Sequence, residues 1–408
     1  MPADHSLLSL IGHLLLAWVV VIVVARGLGQ LFRKLLQPAV MGEVVGGILL
    51  GPSLLGLFWP DLQAFLFPAE TIPWLGWIAQ AGIVVYMFLL GLELDGPTLR
   101  RQGRNTVVIS LASMFFPFCL GFLLAILADA TLAGPLASKT SYALFVGVAM
   151  SITAFPVLAR ILADTGLRRT PLGNLALACA ALNDVAAWCL LALVAGLAQT
   201  KTLAGTPTLV LAAVYLAAML GVVRPLLRRL RPGAHLVLLM LLVLSATVTD
   251  WIGLHALFGA FLLGVIVPKN AAPGVPCVQR LEVWVRLILL PVFFAYTGLR
   301  TQIGLLDSPH DWLLCVMIIT VATAGKLGGA SLAARWAGQR WRDAVTLGVL
   351  LNTRGLVELI VLNAGLELHL LSPKMFTLLV VMALATTLMT CPLLQLLARK
   401  APARPRYS

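Results

Sequence analysis

The chain has 408 residues, of which 60% are hydrophobic and 11% charged. Soluble domains carry roughly 25% charged residues, so a water-exposed surface cannot be built here and the bilayer must solvate most of it. The net charge of +13 does not point to nucleic acid, because the basic residues are spread through short loops between apolar stretches.

Windows of about 20 apolar residues predict an all-α polytopic membrane protein with thirteen transmembrane helices. They fall near 8–26, 39–57, 73–93, 106–128, 141–162, 171–199, 206–223, 234–249, 252–268, 283–299, 312–334, 344–365 and 374–397. The first has no basic n-region and no small-residue cleavage site, and so reads as a span, not a cleaved signal. Span 2 carries Glu43, which has no obvious partner in sequence; a structural or gating role and ion binding are both open. Span 5 carries Ser151 and Thr153 and then Pro156, which removes a backbone hydrogen bond and clashes with the preceding turn. Arg160, near the cytoplasmic end of that span, either snorkels or meets Glu358 or a helix dipole.

Asp184 falls mid-way along span 6, about 13 residues from its start. At 1.5 Å per residue that is roughly 20 Å into the bilayer, and an intramembrane acid is a functional hypothesis by default. A carboxylate there can hold a proton or a small cation, but hardly both, and that exclusivity is the logic of exchange. Asn183, one position earlier, can ligate a cation through its carbonyl oxygen or donate to unwound backbone. His13 and His255 are lone histidines and read as structural. Lys326 in span 11 lies among glycines that allow close helix approach, and needs an anion or a helix C-terminus. Span 12 places Asn352, Thr353, Arg354 and Gly355 in a row at mid-membrane, with Glu358 a turn later. Four such residues are expensive in hydrocarbon, and Arg354 and Glu358 share a face if the helix resumes. The six cysteines have no metal-ligand spacing and read as small apolar residues. No polar stretch would form a sizeable soluble domain, so residues 1–408 are expected to be one transmembrane domain.

Of the 29 Lys and Arg residues, 22 follow odd-numbered spans, four lie on the opposite side and three fall within spans. The positive-inside rule then puts the N-terminus outside and the C-terminus in the cytoplasm. Gly42–Pro52 in span 2 echoes Gly259–Pro268 in span 9, Gly91–Glu93 echoes Gly298–Arg300, and Gly147–Ala154 echoes Gly348–Gly355. The matches share an offset of about 200–217 residues and of seven spans, an odd number that gives the two halves opposite orientation. This predicts an inverted repeat with halves near 39–199 and 252–397 and two crossed, broken helices, spans 5 and 12. Freed carbonyls and half-helix ends there would coordinate an ion.

The strings Gln37–Glu43, Gly46–Pro52, Phe88–Glu93, Ser151–Arg160, Asn183–Asp184 and Asn352–Leu359 resemble the cation:proton antiporter-2 family of the sodium/hydrogen exchanger superfamily. Asn183–Trp188 and Asn352–Leu359 look particularly like its plant cation/H+ exchanger branch and bacterial relatives. The resemblance covers about residues 10–395 and implies a thirteen-helix homodimer whose core domain moves elevator-style against a dimerisation domain. It implies that Asp184 is the ion-binding aspartate, that Lys326 is the core-domain lysine beside the crossover, and that Thr153 and Asn352 lie in the unwound segments. Asn183 stands where many electrogenic relatives have a second aspartate. The chain ends soon after the last span, so no cytoplasmic nucleotide-binding regulatory domain is expected.

The function expected is exchange of a monovalent cation, K+ or Na+, for H+ in a multi-pass membrane protein. Asp184 is its shared proton and transient cation site, with Asn183, Thr153, Ser151 and Asn352 as ion-site residues. Lys326, Arg354, Glu358, Arg160 and Glu43 are expected to compensate charge or gate, and Pro156 and Gly355 to break the helices. No enzyme activity and no cofactor are expected. A channel-like cation conduit and a non-transporting sensor on the same scaffold are the alternatives; the first predicts flux without proton coupling, the second binding without movement.

Overall fold

The structure is a computed structural model that describes residues 3–35, 37–93, 103–135, 137–168, 170–198, 205–229, 235–252, 255–268 and 275–399. Arg100, Arg101, Arg169, Lys201, Arg231, Lys269, Lys400, Arg404 and Arg406, which entered the topological count, lie outside them. The helices in chain order are α1 (Ala3–Lys34), α2 (Ala39–Leu50), α3 (Leu55–Phe58), α4 (Pro60–Leu66), α5 (Ile72–Glu93), α6 (Arg104–Leu127), α7 (Lys139–Ser151), α8 (Phe155–Asp164) and α9 (Pro171–Ala198). Then come α10 (Gly205–Ala218), α11 (Arg224–Leu227), α12 (His235–Ile252), α13 (Ala256–Ile266), α14 (Val275–Trp284), α15 (Leu290–Arg300), α16 (Pro309–Trp336), α17 (Trp341–Leu351), α18 (Leu356–Glu367) and α19 (Pro373–Arg399). Among the described residues the only β pairing is an isolated bridge, Ala133 to Leu371.

Nine helical stretches among the described residues are long and apolar enough to cross a bilayer, and the bent pair α17 and α18 makes a tenth. Two shorter apolar helices, Leu236–Ile252 and Ala256–Ile266, accompany them. Large apolar side chains such as Leu236, Met240, Trp251 and Leu313 point outward, as they must where lipid is the solvent. The protein is an integral, multi-pass, all-helical membrane protein.

Backbone groups cannot be left to lipid, and the chain's prolines show how they are served. Pro291 has no N–H for the Leu287 carbonyl four residues back; a π turn, Val285–Leu289, precedes it, and Arg26 Nη2 donates to Leu287 O at 2.6 Å. A second π turn, Met219–Val223, precedes Pro225. Pro392 inside α19 likewise strands Leu388 O, which accepts from Gln37 Nε2 at 3.3 Å.

The chain forms two compact units, each assembled from separate stretches of sequence. The first comprises Met1–Leu28, Glu43–Thr98 and Ala192–Gln302. Its helices approach closely at glycines: a Cβ on Gly47 would fall on Ala295 O, one on Gly298 on Val44 O, one on Gly264 on Phe88 O, and one on Gly91 on Phe261 O. The second unit comprises Gly29–Gly42, Leu99–Leu191 and Ile303–Ser408. Its core packs Ile109, Leu158, Ile161, Cys179, Ala330, Leu347 and Leu350 together. α16 lies against α6 at Gly325 and Gly329, where added Cβ atoms would press on Pro117 and Phe116.

Candidate ion-binding site

The polar strings of spans 5 and 12 are the points at which two helices of the second unit stop and restart. α7 ends at Ser151, Ile152 is extended at φ −67° and ψ 144°, and α8 begins at Phe155. The break therefore precedes Pro156, which sits in the first turn of α8, where a missing N–H costs nothing. α17 ends at Leu351 and α18 begins at Leu356, with a bend of 44°. Gly355 between them has φ 153°, which a side chain rarely permits. The breaks are bonded to each other: Ala154 N–H donates to Thr353 O at 3.0 Å, and Thr153 Oγ1 to Leu351 O at 3.0 Å.

A helix that stops inside a membrane strands its last four carbonyls. At α7 every one is served by a side chain. Ser151 Oγ donates to Val148 O at 2.8 Å, Arg354 Nη1 to Ala149 O at 3.0 Å and Nη2 to Met150 O at 2.6 Å, and Lys326 Nζ to Ser151 O. Two buried cations thus meet the negative end of the α7 dipole. Arg354 Nη1 also pairs with Glu358 Oε1 at 3.0 Å, and Thr387 Oγ1 bonds both the N–H and the carbonyl of residue 354 at 2.9 Å. The end of α17 needs no charge: Asn352 and Thr353 N–H donate to Gly348 O and Leu350 O at 3.1 and 3.2 Å, and Thr153 serves Leu351 O.

α9 brings Asn183 and Asp184 to this crossing, both buried. The Asp184 carboxyl meets the Phe155 amide, at the positive end of α8, and feels the Lys326 ammonium. The Lys326 side chain also feels Arg354 and Glu358, so the four ionisable groups form one electrostatic cluster around the breaks. Asp184 Oδ1 has no hydrogen-bond partner, and neither do Asn352 Oδ1, Thr353 Oγ1 or Glu358 Oε2. Buried oxygens without donors are what a small cation or a proton can serve. The Asn183 amide, by contrast, is bonded to Ser110, Ser113 and Thr153.

The remaining expected residues are not among the bonded groups described above. Arg160 is exposed on α8, and Glu43 is half-buried on α2 within the first unit. His13 packs edge-on against Phe65 with centroids 5.6 Å apart, and His255 is a buried residue at φ 75° before α13. Sequence reasoning missed Ser110, Ser113 and Thr387, and the Phe155 amide. The only signal for the serines was their three-residue spacing on an apolar helix, which a serine bonded to its own backbone would give equally.

The family model described as sodium/hydrogen exchanger, transmembrane, matches residues 19–400. The chain belongs to that family. Within it, the chain is 45% identical over 395 residues to a protein named Na(+)/H(+) antiporter NhaS4 of Synechocystis, covering 93% of this chain and 96% of that one. It is 39% identical to cation/H(+) antiporter 18 of Arabidopsis thaliana, covering 94% of this chain and 48% of the relative. It is 34% identical to K(+)/H(+) antiporter 1 of Saccharomyces cerevisiae, covering 90% and 44%. The chain thus spans nearly all of the cyanobacterial exchanger and about half the length of the plant and yeast ones. The solved sodium proton antiporter MjNhaP1 of Methanocaldococcus jannaschii shares the fold, with TM-score 0.57 at 16% identity over 97% of this chain and 99% of that one.

Proposed function

We propose that this exchanger-family chain is a secondary antiporter that exchanges Na+ or K+ for H+ by alternating access at one site, with Asp184 as the shared group. The observation that carries the reading is a buried carboxyl, one oxygen unpartnered, between the start of one half-helix and a buried ammonium. Deprotonated Asp184 takes the cation with the oxygens of Asn352 and Thr353, while Lys326 and Arg354 hold the α7 end and Glu358 offsets their charge. Binding neutralises the carboxylate, and protons compete the cation off on the other side. The relatives' names, Na+/H+, cation/H+ and K+/H+ antiporter, support exchange of a monovalent cation for protons.

The proposal includes thirteen crossings of the membrane. The nine long helices and the bent pair α17 and α18 support it, with the short helices α12 and α13 and the broken pair α7 and α8 read as the three further crossings. It includes one transmembrane domain built as an inverted repeat with halves near 39–199 and 252–397, which two matched contacts support. Gly47 meets Ala295 O as Gly264 meets Phe88 O, and Gly298 meets Val44 O as Gly91 meets Phe261 O. The repeat alignment exchanges each member of one contact for its counterpart in the other. It also includes an outside N-terminus, a cytoplasmic C-terminus and assembly as a homodimer.

The test is reconstitution into proteoliposomes with an imposed pH gradient and addition of Na+, K+, Li+ or Rb+. Wild type is expected to dissipate the gradient on cation addition, and Asp184→Asn to lose that response while remaining monodisperse and membrane-inserted. Robust exchange in the variant refutes the assignment, and rapid cation flux without proton movement refutes the antiporter in favour of a conduit.

A further inference from the structure

Around Asn183 the positions of the hydroxyl protons follow from the acceptors they face. Ser113 Oγ donates to Ser110 O at 2.7 Å, and Thr153 Oγ1 donates to Leu351 O at 3.0 Å. Carbonyls only accept, so each hydroxyl has spent its single proton and presents lone pairs alone to its other neighbours. The Asn183 amide fits those lone pairs: Nδ2 donates to Ser113 Oγ at 3.0 Å and to Thr153 Oγ1 at 3.1 Å. Its Oδ1 turns the other way and accepts from Ser110 Oγ at 2.6 Å. The Ser110 hydroxyl also lies 3.2 Å from Cys179 O, but the amide oxygen is the nearer acceptor. A flipped amide would put its oxygen against two hydroxyls with no proton to give. All four side chains are buried, so water does not compete for these bonds.

The bonds run in one direction, from the Ser110 hydroxyl through the Asn183 amide and the Thr153 hydroxyl to the carbonyl that ends α17. We propose that Ser110 and Ser113 of α6 are positioning residues of the ion site: they fix the orientation of the Asn183 amide, which through Thr153 holds the two helix breaks in register beside Asp184. The proposal deepens the antiporter reading and rests on it. It also gives residue 183 a required chemistry. A carboxylate there would draw the Ser113 and Thr153 protons to itself, and Leu351 O would lose the donor that ties α17 to the first break. A carboxylate at 183 would therefore leave the two breaks joined by the Ala154 N–H bond to Thr353 O alone.

Two double-mutant cycles test this, one pairing Ser110→Ala and the other Ser113→Ala with Asn183→Ala, read in two ways on the full chain. In proteoliposomes, each serine variant is expected to raise the apparent KM for the cation about three- to tenfold and to move the pH profile, the size of one lost buried hydrogen bond. In the Asn183→Ala background the same serine changes are expected to add nothing further, because their effect passes through the amide. In detergent, thermal unfolding midpoints of the same variants are expected to show the same coupling. Additive effects in both readouts, or serine variants that exchange with wild-type KM and pH profile, overturn the proposal. If wild type exchanges no cation at all, the antiporter reading fails, while the unfolding cycles still decide whether the serines act through Asn183.

Discussion

Replacing Arg354 by Met tests the idea that the end of α7 is held by charge. The guanidinium makes three bonds: to Ala149 O at 3.0 Å, to Met150 O at 2.6 Å and to Glu358 Oε1 at 3.0 Å. Met roughly fills the aliphatic part of the space and supplies none of them. Removing one partner of a buried ion pair costs about 3–5 kcal/mol, and the two stranded carbonyls fall within that figure because the three bonds act as a unit. With an unfolding entropy of about 2.1 cal/mol/K per residue, a chain of 408 residues loses about 3–6 °C of midpoint. Glu358→Gln retains an acceptor for Nη1 but removes the counter-charge of the buried guanidinium, and by the same rule should cost up to about 3–5 kcal/mol. The double variant should be more stable than Arg354→Met alone, because the unpaired carboxylate is gone. The assay is thermal unfolding of the detergent-solubilised protein, with all four proteins in one micelle. An unchanged midpoint for Arg354→Met, or a double variant that falls by the sum of the two single losses, would refute the reasoning.

Gly355→Ala should be destabilising by about 1–3 kcal/mol, because φ is 153° and the new Cβ would lie 2.7 Å from Val157 Cγ2; a wild-type midpoint would show that the backbone there relaxes freely. Lys326→Met removes the ammonium that donates to Ser151 O and faces Asp184, so stability should fall by about 1.5–3 kcal/mol and cation-dependent exchange should fall with it. Retention of both would mean that the α7 end is held by Arg354 alone.

Much of the site was legible because lipid makes polarity informative. A lone Asp184, a lone Lys326 and the run from Asn352 to Gly355 stand out where each ordinary choice is apolar, and repetition of the glycine strings linked the two polar runs to each other. The chemistry of Arg354 was only half visible. Four-residue spacing pointed to Glu358, but nothing local pointed to Ala149 and Met150, about 205 residues away. Pro156 drew attention to the right place for an incomplete reason, since the chain leaves the helix at Ile152, four residues before it, and the proline then sits in the first turn of the next one.

The sequence by itself determined that the chain lives in a membrane, where its ionisable residues fall along each helix, and which helices are interrupted. Hydrophobicity and intramembrane charge are properties of single positions, summed over short windows, and need no folding to be read. Only the tertiary structure decided which donor serves which stranded carbonyl, that two serines of α6 orient Asn183, and that Asp184 faces the beginning of α8. A hydrogen bond's identity depends on which two groups meet and which of them has a proton left to give, and folding brings those groups together from remote parts of the chain.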